Sequence, residues 1–171
     1  DPANMDRLLS VQRQELLDVY RILSLLPLTN DQAVADIGCG PGFFTIPLAK
    51  YLWDGKVYAL DIQEEMVEAC RRRVTEARLG NVEVMLTPET ELPLEGGSLD
   101  GALVAFVIHS QIDKAAFLKR VADLLKQSGW IAVIEWHLVP SPTQGPPLER
   151  RISVEEVLRV VEEVGLRIEL R

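Results

Sequence analysis

Three glycines and a proline crowd the stretch Asp36-Ile37-Gly38-Cys39-Gly40-Pro41-Gly42, between an apolar run and a helix-like run. So many structure-weakening residues mark a place where something must lie against bare backbone. Gly38 and Gly40 allow a tight turn with unobstructed amides, and Gly42 lets strand and helix approach closely. The helix start beyond them offers unpaired N–H groups to a polar or anionic group such as a ligand carboxylate. A second acid, Asp61, ends the next apolar run, nineteen residues after Gly42. A carboxylate there can accept both hydroxyls of a ribose, as in nucleoside-cofactor folds. The alternative is a plain turn with an incidental aspartate.

Other chemistry-bearing residues are few. His109 and His137 are the only histidines, both near carboxyl ends of apolar runs, and Glu135 ends one such run. Either histidine could serve as a base or hold an acceptor; packing under a loop is the simpler account of both. Glu135 could face an acceptor pocket or form a salt bridge. Cys39 and Cys70 lack metal-ligand spacing, so they read as small, free, partly buried thiols, and no metal site is expected. Such thiols suit a reducing cytoplasm. Arg71 to Arg73 read as a solvated helix face, and Arg150 and Arg151 as solvated charges before a helix.

The elements that must position these residues alternate short apolar runs with helical periodicity. Residues 6–25 read as an amphipathic helix with Tyr20 on its core stripe. Strands are expected at 33–38, 56–61, 82–87, within 99–109, at 130–136 and at 166–171. Helices are expected at 42–52, 64–79, 114–127 and 154–164. Asp113 is a candidate N-cap, and Ser153 with Glu156 matches a capping box. Gly80-Asn81 and Ser128-Gly129 read as helix stops. Apolar strands alternating with helices imply an α/β fold: a doubly wound, mostly parallel sheet with helices on both faces. Ligands in such folds sit outside the carboxyl ends of the strands, here 38–43, 61–63, 87–90, 105–110 and 135–147.

The loop reads G-x-G-x-G, not the G-x-G-x-x-G of dinucleotide folds, with Asp36 two residues ahead of it. With that spacing, "VADIGCGPGFFTIPLA" resembles the first motif of class I S-adenosylmethionine-dependent methyltransferases, and "VYALDIQEEMVEACRRR" the second. The stretch from "LPLEGGSLDG" to "GWIAVIEW" resembles the middle of the same fold, in the branch that includes quinone-biosynthesis methyltransferases. The resemblance runs from about Leu26 to the end and is Rossmann-like in fold. It implies S-adenosylmethionine as cofactor and S-adenosylhomocysteine as product. It places Gly38, Cys39 and Gly40 under the methionine part, with Asp36 helping to hold the ammonium group. Asp61 would grip the ribose and Ile62 would pack on the adenine. Glu89 and Thr90 would lie near the adenine, and Ala105 to Val107 would flank the sulfur and the ribose. Relatives close the sheet with a seventh strand; nothing after 166–171 supplies one, so either the chain is cut short, or the sheet is shorter, or a neighbour covers that edge.

Methyl transfer from a sulfonium is a displacement on an already activated group, so alignment and exclusion of water are the main requirements. A base is needed only if the acceptor must lose a proton first. No catalytic signature stands out; His109 and Glu135 are the candidates. The proline-rich loop after 136 and the amino-terminal helix, residues 1–25, are expected to cover the acceptor site, with 26–171 forming the cofactor-binding part of a single domain. A small-molecule acceptor is expected. Net charge is −8, which disfavours nucleic acid. No segment approaches the ~20 apolar residues of a membrane span, and the first residues lack the order of a signal peptide. An unpaired edge strand would invite a homodimer. Two other readings stand beside the enzyme: a protein that holds the cofactor or its product without turnover, and a nicotinamide dehydrogenase, against which the loop spacing argues.

Overall fold

Every residue from Val34 to Ile37 is buried, so this strand needs a layer against each face. The computed structural model describes residues 17–138 and 145–169, and it supplies both layers. In chain order these are α1 (Val19–Ser24), β1 (Ala33–Ile37), α2 (Thr45–Tyr51), β2 (Lys56–Asp61), α3 (Glu64–Glu76), β3 (Val82–Leu86) and β4 (Leu99–Ala105). A 3-10 turn (Ile108–Ser110), α4 (Lys114–Asp123), β5 (Leu125–Ile134), a second 3-10 turn (Leu148–Arg150) and α5 (Val154–Glu163) follow. The strands lie in the order β3-β2-β1-β4-β5, and each neighbouring pair is parallel. The expected doubly wound sheet is the fold.

Alternate residues of the central strands go to opposite layers. Val34, Val57 and Leu103 pack with Leu23 of α1 and Leu48 of α2. Ala35, Leu60 and Val104 pack with Phe117 and Val121 of α4. Beyond α4, Leu118 meets Val160 of α5 and Ile108. The caps follow the sequence: Asp113 accepts from the Ala116 N–H at 2.8 Å and Ser153 from the Glu156 N–H at 3.0 Å. The Glu156 carboxylate lies 3.6 Å from the Lys114 ammonium, tying α5 to α4. No helix among the described residues is long and apolar enough to cross a membrane.

Several element ends differ from the sequence reading, each for a local reason. The helix expected over 6–25 starts at Val19 within the described part, where Asp18 caps it by accepting from the Arg21 N–H; residues 1–16 lie outside the described residues. Tyr20, expected in the core, is 66% exposed. The helix expected from 42 begins at Thr45 because Gly42 is left-handed. The helix expected to 79 ends at Glu76, and Arg78, rather than Gly80, takes the left-handed turn. The helix expected to 127 ends at Asp123. Ser128-Gly129 instead falls inside an irregular β5, where Leu125 pairs with Leu99 but Trp130 with Gly101. Residues 166–169 form no strand, so the expected strand at 166–171 is absent from its described part. Residues 139–144 of the proline-rich loop and 170–171 also lie outside the described residues.

The outer strand β3 is not bare. Arg71 of α3 donates to the Val84 carbonyl at 3.0 Å, which occupies one acceptor of that strand from the helix above it. Leu103 in β4 is fully buried between β1 and β5. Leu103→Ala is expected to lower unfolding stability by about 2–5 kcal/mol, read as a lower urea midpoint with an unchanged slope.

Candidate functional site

Two aspartates end the adjacent strands β1 and β2, and both are buried. Burial alone would strand a carboxylate without partners, so the neighbouring backbone is built around them. Asp61 accepts from the Gly40 N–H at 2.8 Å and from the Gln63 N–H at 2.9 Å. One carboxylate thus joins the glycine loop to the turn after β2. Its pKa is raised by burial, against the opposing pull of the Gln63, Gly40 and Ile62 amides. Asp36, only 1% exposed, accepts from the Thr45 hydroxyl at 2.6 Å, which ties the end of β1 to the start of α2. Burial pushes its carboxyl up to about 7; the Thr45 hydrogen bond opposes this and the nearby Asp61 charge adds to it.

The glycine loop is held from three sides. Gly38 and Cys39 donate to the Leu60 carbonyl at 2.8 and 3.0 Å. Gly38 is left-handed, and a Cβ there would lie 2.3 Å from the Val107 side chain. The residue must be glycine for β4's exit to reach the loop. From α3, Arg73 donates to the Pro41 carbonyl at 2.7 Å. The expectation of a solvated Arg71–Arg73 face holds for Arg71 and Arg72, which are exposed, and is corrected for Arg73, which is half-buried against the loop. Burial lowers the pKa of the Arg73 guanidinium from its ordinary value. Cys39 and Cys70 are free and buried, as expected. Contact with the Cys70 thiol and burial push the Cys39 thiol far up, so it stays protonated and is no nucleophile.

A cleft of about 270 Å³ opens outside the carboxyl ends of β1, β2, β3 and β4. Of the expected cofactor residues, Gly38, Cys39, Gly40, Asp61, Ile62, Glu89 and Ala105 line it. Ile62 is 55% exposed, an apolar side chain presented at the cleft. Asp36 lies behind the lining, and Thr90 is outside it. Phe43, Thr87 and Phe106, which fall within the expected ligand edge, also line the cleft, as do Met66 and Phe44, which sequence reasoning passed over. The Phe43-Phe44 pair directly after the glycine loop was a usable signal; the others are brought there by tertiary packing. Among the described residues, no group of three or more His, Cys, Asp or Glu is placed to hold a metal ion.

His109 and Glu135 come together. The imidazole Nδ1 lies 3.1 and 2.9 Å from the two Glu135 oxygens, and the His109 backbone N–H donates to Glu135 at 3.0 Å. The pair joins the turns that leave β4 and β5, next to Val107 and Ser110 of the cleft wall, without itself lining the cleft. His137 is exposed. Arg151, expected to be solvated, is half-buried: it donates to the Pro146 and His137 carbonyls at 2.9 and 2.7 Å. Phe106, at the exit of β4, has φ +62°, a conformation that costs a bulky residue about 1–3 kcal/mol.

Comparison with known proteins agrees with this geometry. The family profile described as "Methyltransferase domain" matches residues 34–129. The chain is similar to the crystal structure of a SAM dependent methyltransferase from Aquifex aeolicus, with 33% identity and a TM-score of 0.93; the match covers 99% of this chain and 90% of that one. It is also similar to the demethylmenaquinone methyltransferase of Lactococcus lactis, 27% identical over 79% of this chain and 54% of the relative. The corresponding protein of Listeria monocytogenes is 31% identical over 66% of this chain and 48% of its own length. The chain spans about half the length of these two curated relatives.

The raised carboxyl of Asp36 makes stability depend on pH. The folded state holds this proton up to about pH 7, whereas an unfolded chain releases it near its ordinary value of about 4. The contribution is therefore fully present below pH 4 and is lost as pH rises through 7. Asp36→Asn removes this loss. Urea unfolding should show wild type losing stability relative to the variant between pH 4 and 7.5, by an amount on the order of 1–4 kcal/mol. Parallel stability curves would contradict the assignment.

Proposed function

From the premise that the chain belongs to the class I S-adenosylmethionine-dependent methyltransferases, we propose that it transfers a methyl group to a small-molecule acceptor by direct displacement. The observation that carries this reading is the Asp61 carboxylate at the cleft wall, oriented by the Gly40 and Gln63 amides. The residues fit the cofactor: Gly38 and Gly40 present bare backbone at the cleft, and an acid and an exposed isoleucine stand side by side at the end of β2. Bound S-adenosylmethionine would supply an activated methyl group. Asp61 would accept the ribose hydroxyls, Ile62 would cover the adenine, and Glu89 would receive its amine. Gly38 to Gly40 would make room for the methionine part, with Asp36 behind them helping to hold its ammonium group. Ala105 would flank the sulfur. Positioning is the main catalytic effect, and the aromatic lining excludes water.

Where the acceptor must lose a proton, His109 is the residue we assign to take it, with Glu135 holding Nδ1 so that the other ring nitrogen is the acceptor. The quinone substrates of the named relatives make a quinol-like acceptor the first to test. A second reading, a protein that holds the cofactor without turnover, is favoured by one observation: neither His109 nor Glu135 lines the cleft. We further propose a cytoplasmic protein, on its two free thiols, that does not bind nucleic acid, on its net charge of −8. Self-association through an outer strand of the sheet is the corresponding proposal for its assembly.

Calorimetry should detect S-adenosylmethionine and S-adenosylhomocysteine but not NAD. Asp61→Ala should weaken both by roughly 10- to 100-fold, the worth of hydrogen bonds to a charged group. Undiminished affinity in that variant would overturn the cofactor site. Release of S-adenosylhomocysteine with a panel of phenol and quinol acceptors separates the enzyme from the non-catalytic reading. Among active acceptors, His109→Gln should lower kcat by roughly 100-fold or more with affinity for S-adenosylmethionine unchanged. An unchanged kcat would remove His109 from the chemistry.

A further inference from the structure

Phe106 is the first residue beyond β4 and lines the cleft between Ala105 and Val107. Its left-handed backbone is one that glycine or asparagine would adopt without strain. The strain persists because the surroundings hold the residue on two sides. Its N–H donates to the Ile134 carbonyl of β5 at 2.7 Å. Its ring lies 4.8 Å from that of Trp136 at 32°, and 6.5 Å from that of Phe44 at 36°.

Trp136 does not line the cleft; it backs Phe106. Behind Trp136 stands a second layer. Gly145 is left-handed, and a Cβ on it would lie 2.7 Å from the indole, so only bare backbone fits against that ring. The Arg151 guanidinium sits 5.8 Å from the indole centroid. Its donors close the chain on either side of it through the His137 and Pro146 carbonyls. The aromatic wall therefore runs from the glycine loop, through Phe44 and Phe106, to a tryptophan pinned by the connection between β5 and α5.

We propose that Phe106 is the specificity-determining residue of the acceptor site, and that its fixed ring is the face against which a planar ring of the acceptor stacks. Trp136, Gly145 and Arg151 are positioning residues that set the tilt of that face. The inference rests on the methyltransferase reading and adds to it the acceptor's shape. A ring already held in one orientation loses little freedom on binding, which favours a flat partner over a puckered one of equal size. Phe44 cannot serve, being 4% exposed in the core.

The test uses two probes with one carbon skeleton, 2-naphthol and its saturated counterpart decahydro-2-naphthol. Both are titrated into the full chain saturated with S-adenosylhomocysteine. The aromatic probe should bind at least ~10-fold tighter than the saturated one, equivalent to about 1.4 kcal/mol. Phe106→Leu should abolish that preference, and Phe106→Tyr should retain it. Trp136→Leu should reduce it severalfold. Affinity for S-adenosylhomocysteine and melting temperature are measured on each variant, so that the preference is read only in folded protein saturated with S-adenosylhomocysteine. Equal affinity for the two probes, or an unchanged preference in a folded Phe106→Leu protein, overturns the proposal and leaves the methyltransferase reading intact. Failure of the wild-type protein to bind S-adenosylhomocysteine overturns that reading and this one with it.

Discussion

Two carboxylates buried side by side at the ends of β1 and β2 are the constraint on which the rest of the site depends. Neither is free to stay in the interior without hydrogen-bond donors. Asp36 takes the Thr45 hydroxyl and Asp61 takes the amides of Gly40 and Gln63. Meeting those demands draws the start of α2, the glycine loop and the turn into α3 toward the sheet edge. The cleft is the space left in front of them. Ligand hydroxyls nearby would find in Asp61 an acceptor whose orientation the backbone has set.

The remainder of the cleft is organised by packing more than by charge. The end of β4 carries Ala105, Phe106 and Val107, and each has a different structural reason. Val107 presses on Gly38, so the loop and β4 fix one another's position. Phe106 is held against Trp136. Beyond them, the Glu135 carboxylate holds both the backbone and the imidazole of His109, locking the exits of β4 and β5 together. One side of the site is thus polar and backbone-built, and the other is aromatic and side-chain-built. That division suits a nucleoside on the first side and an apolar acceptor on the second.

Arg71, Arg73 and Arg151 show how a charged residue's role depends on what folding places within its reach. Arg71 and Arg73, in a basic run on a polar helix face, and Arg151, ahead of the last helix, carry no local sign of a partner. In the fold, Arg73 reaches the Pro41 carbonyl, Arg71 the edge of β3, and Arg151 two carbonyls of the chain after β5. Each supplies donors to carbonyls that the sheet and its helices leave unmatched.

The sequence by itself determined the order of strands and helices, the parallel sheet and the place of the glycine loop between two aspartates. Those features rest on local signals: apolar runs with no polar alternation, glycines at a strand end and an acid closing the next strand. Capping by Asp113 and Ser153 was legible for the same reason, since a cap acts within one turn. Only the tertiary structure decided the rest. The early end of α4 and the irregular start of β5 follow from pairing with β4, which no local pattern reports. The meeting of His109 with Glu135, the left-handed Phe106 and the anchoring arginines arise from contacts between residues far apart in the chain. A propensity read over a short window does not contain them, because the partner that makes each arrangement favourable comes from another strand or helix.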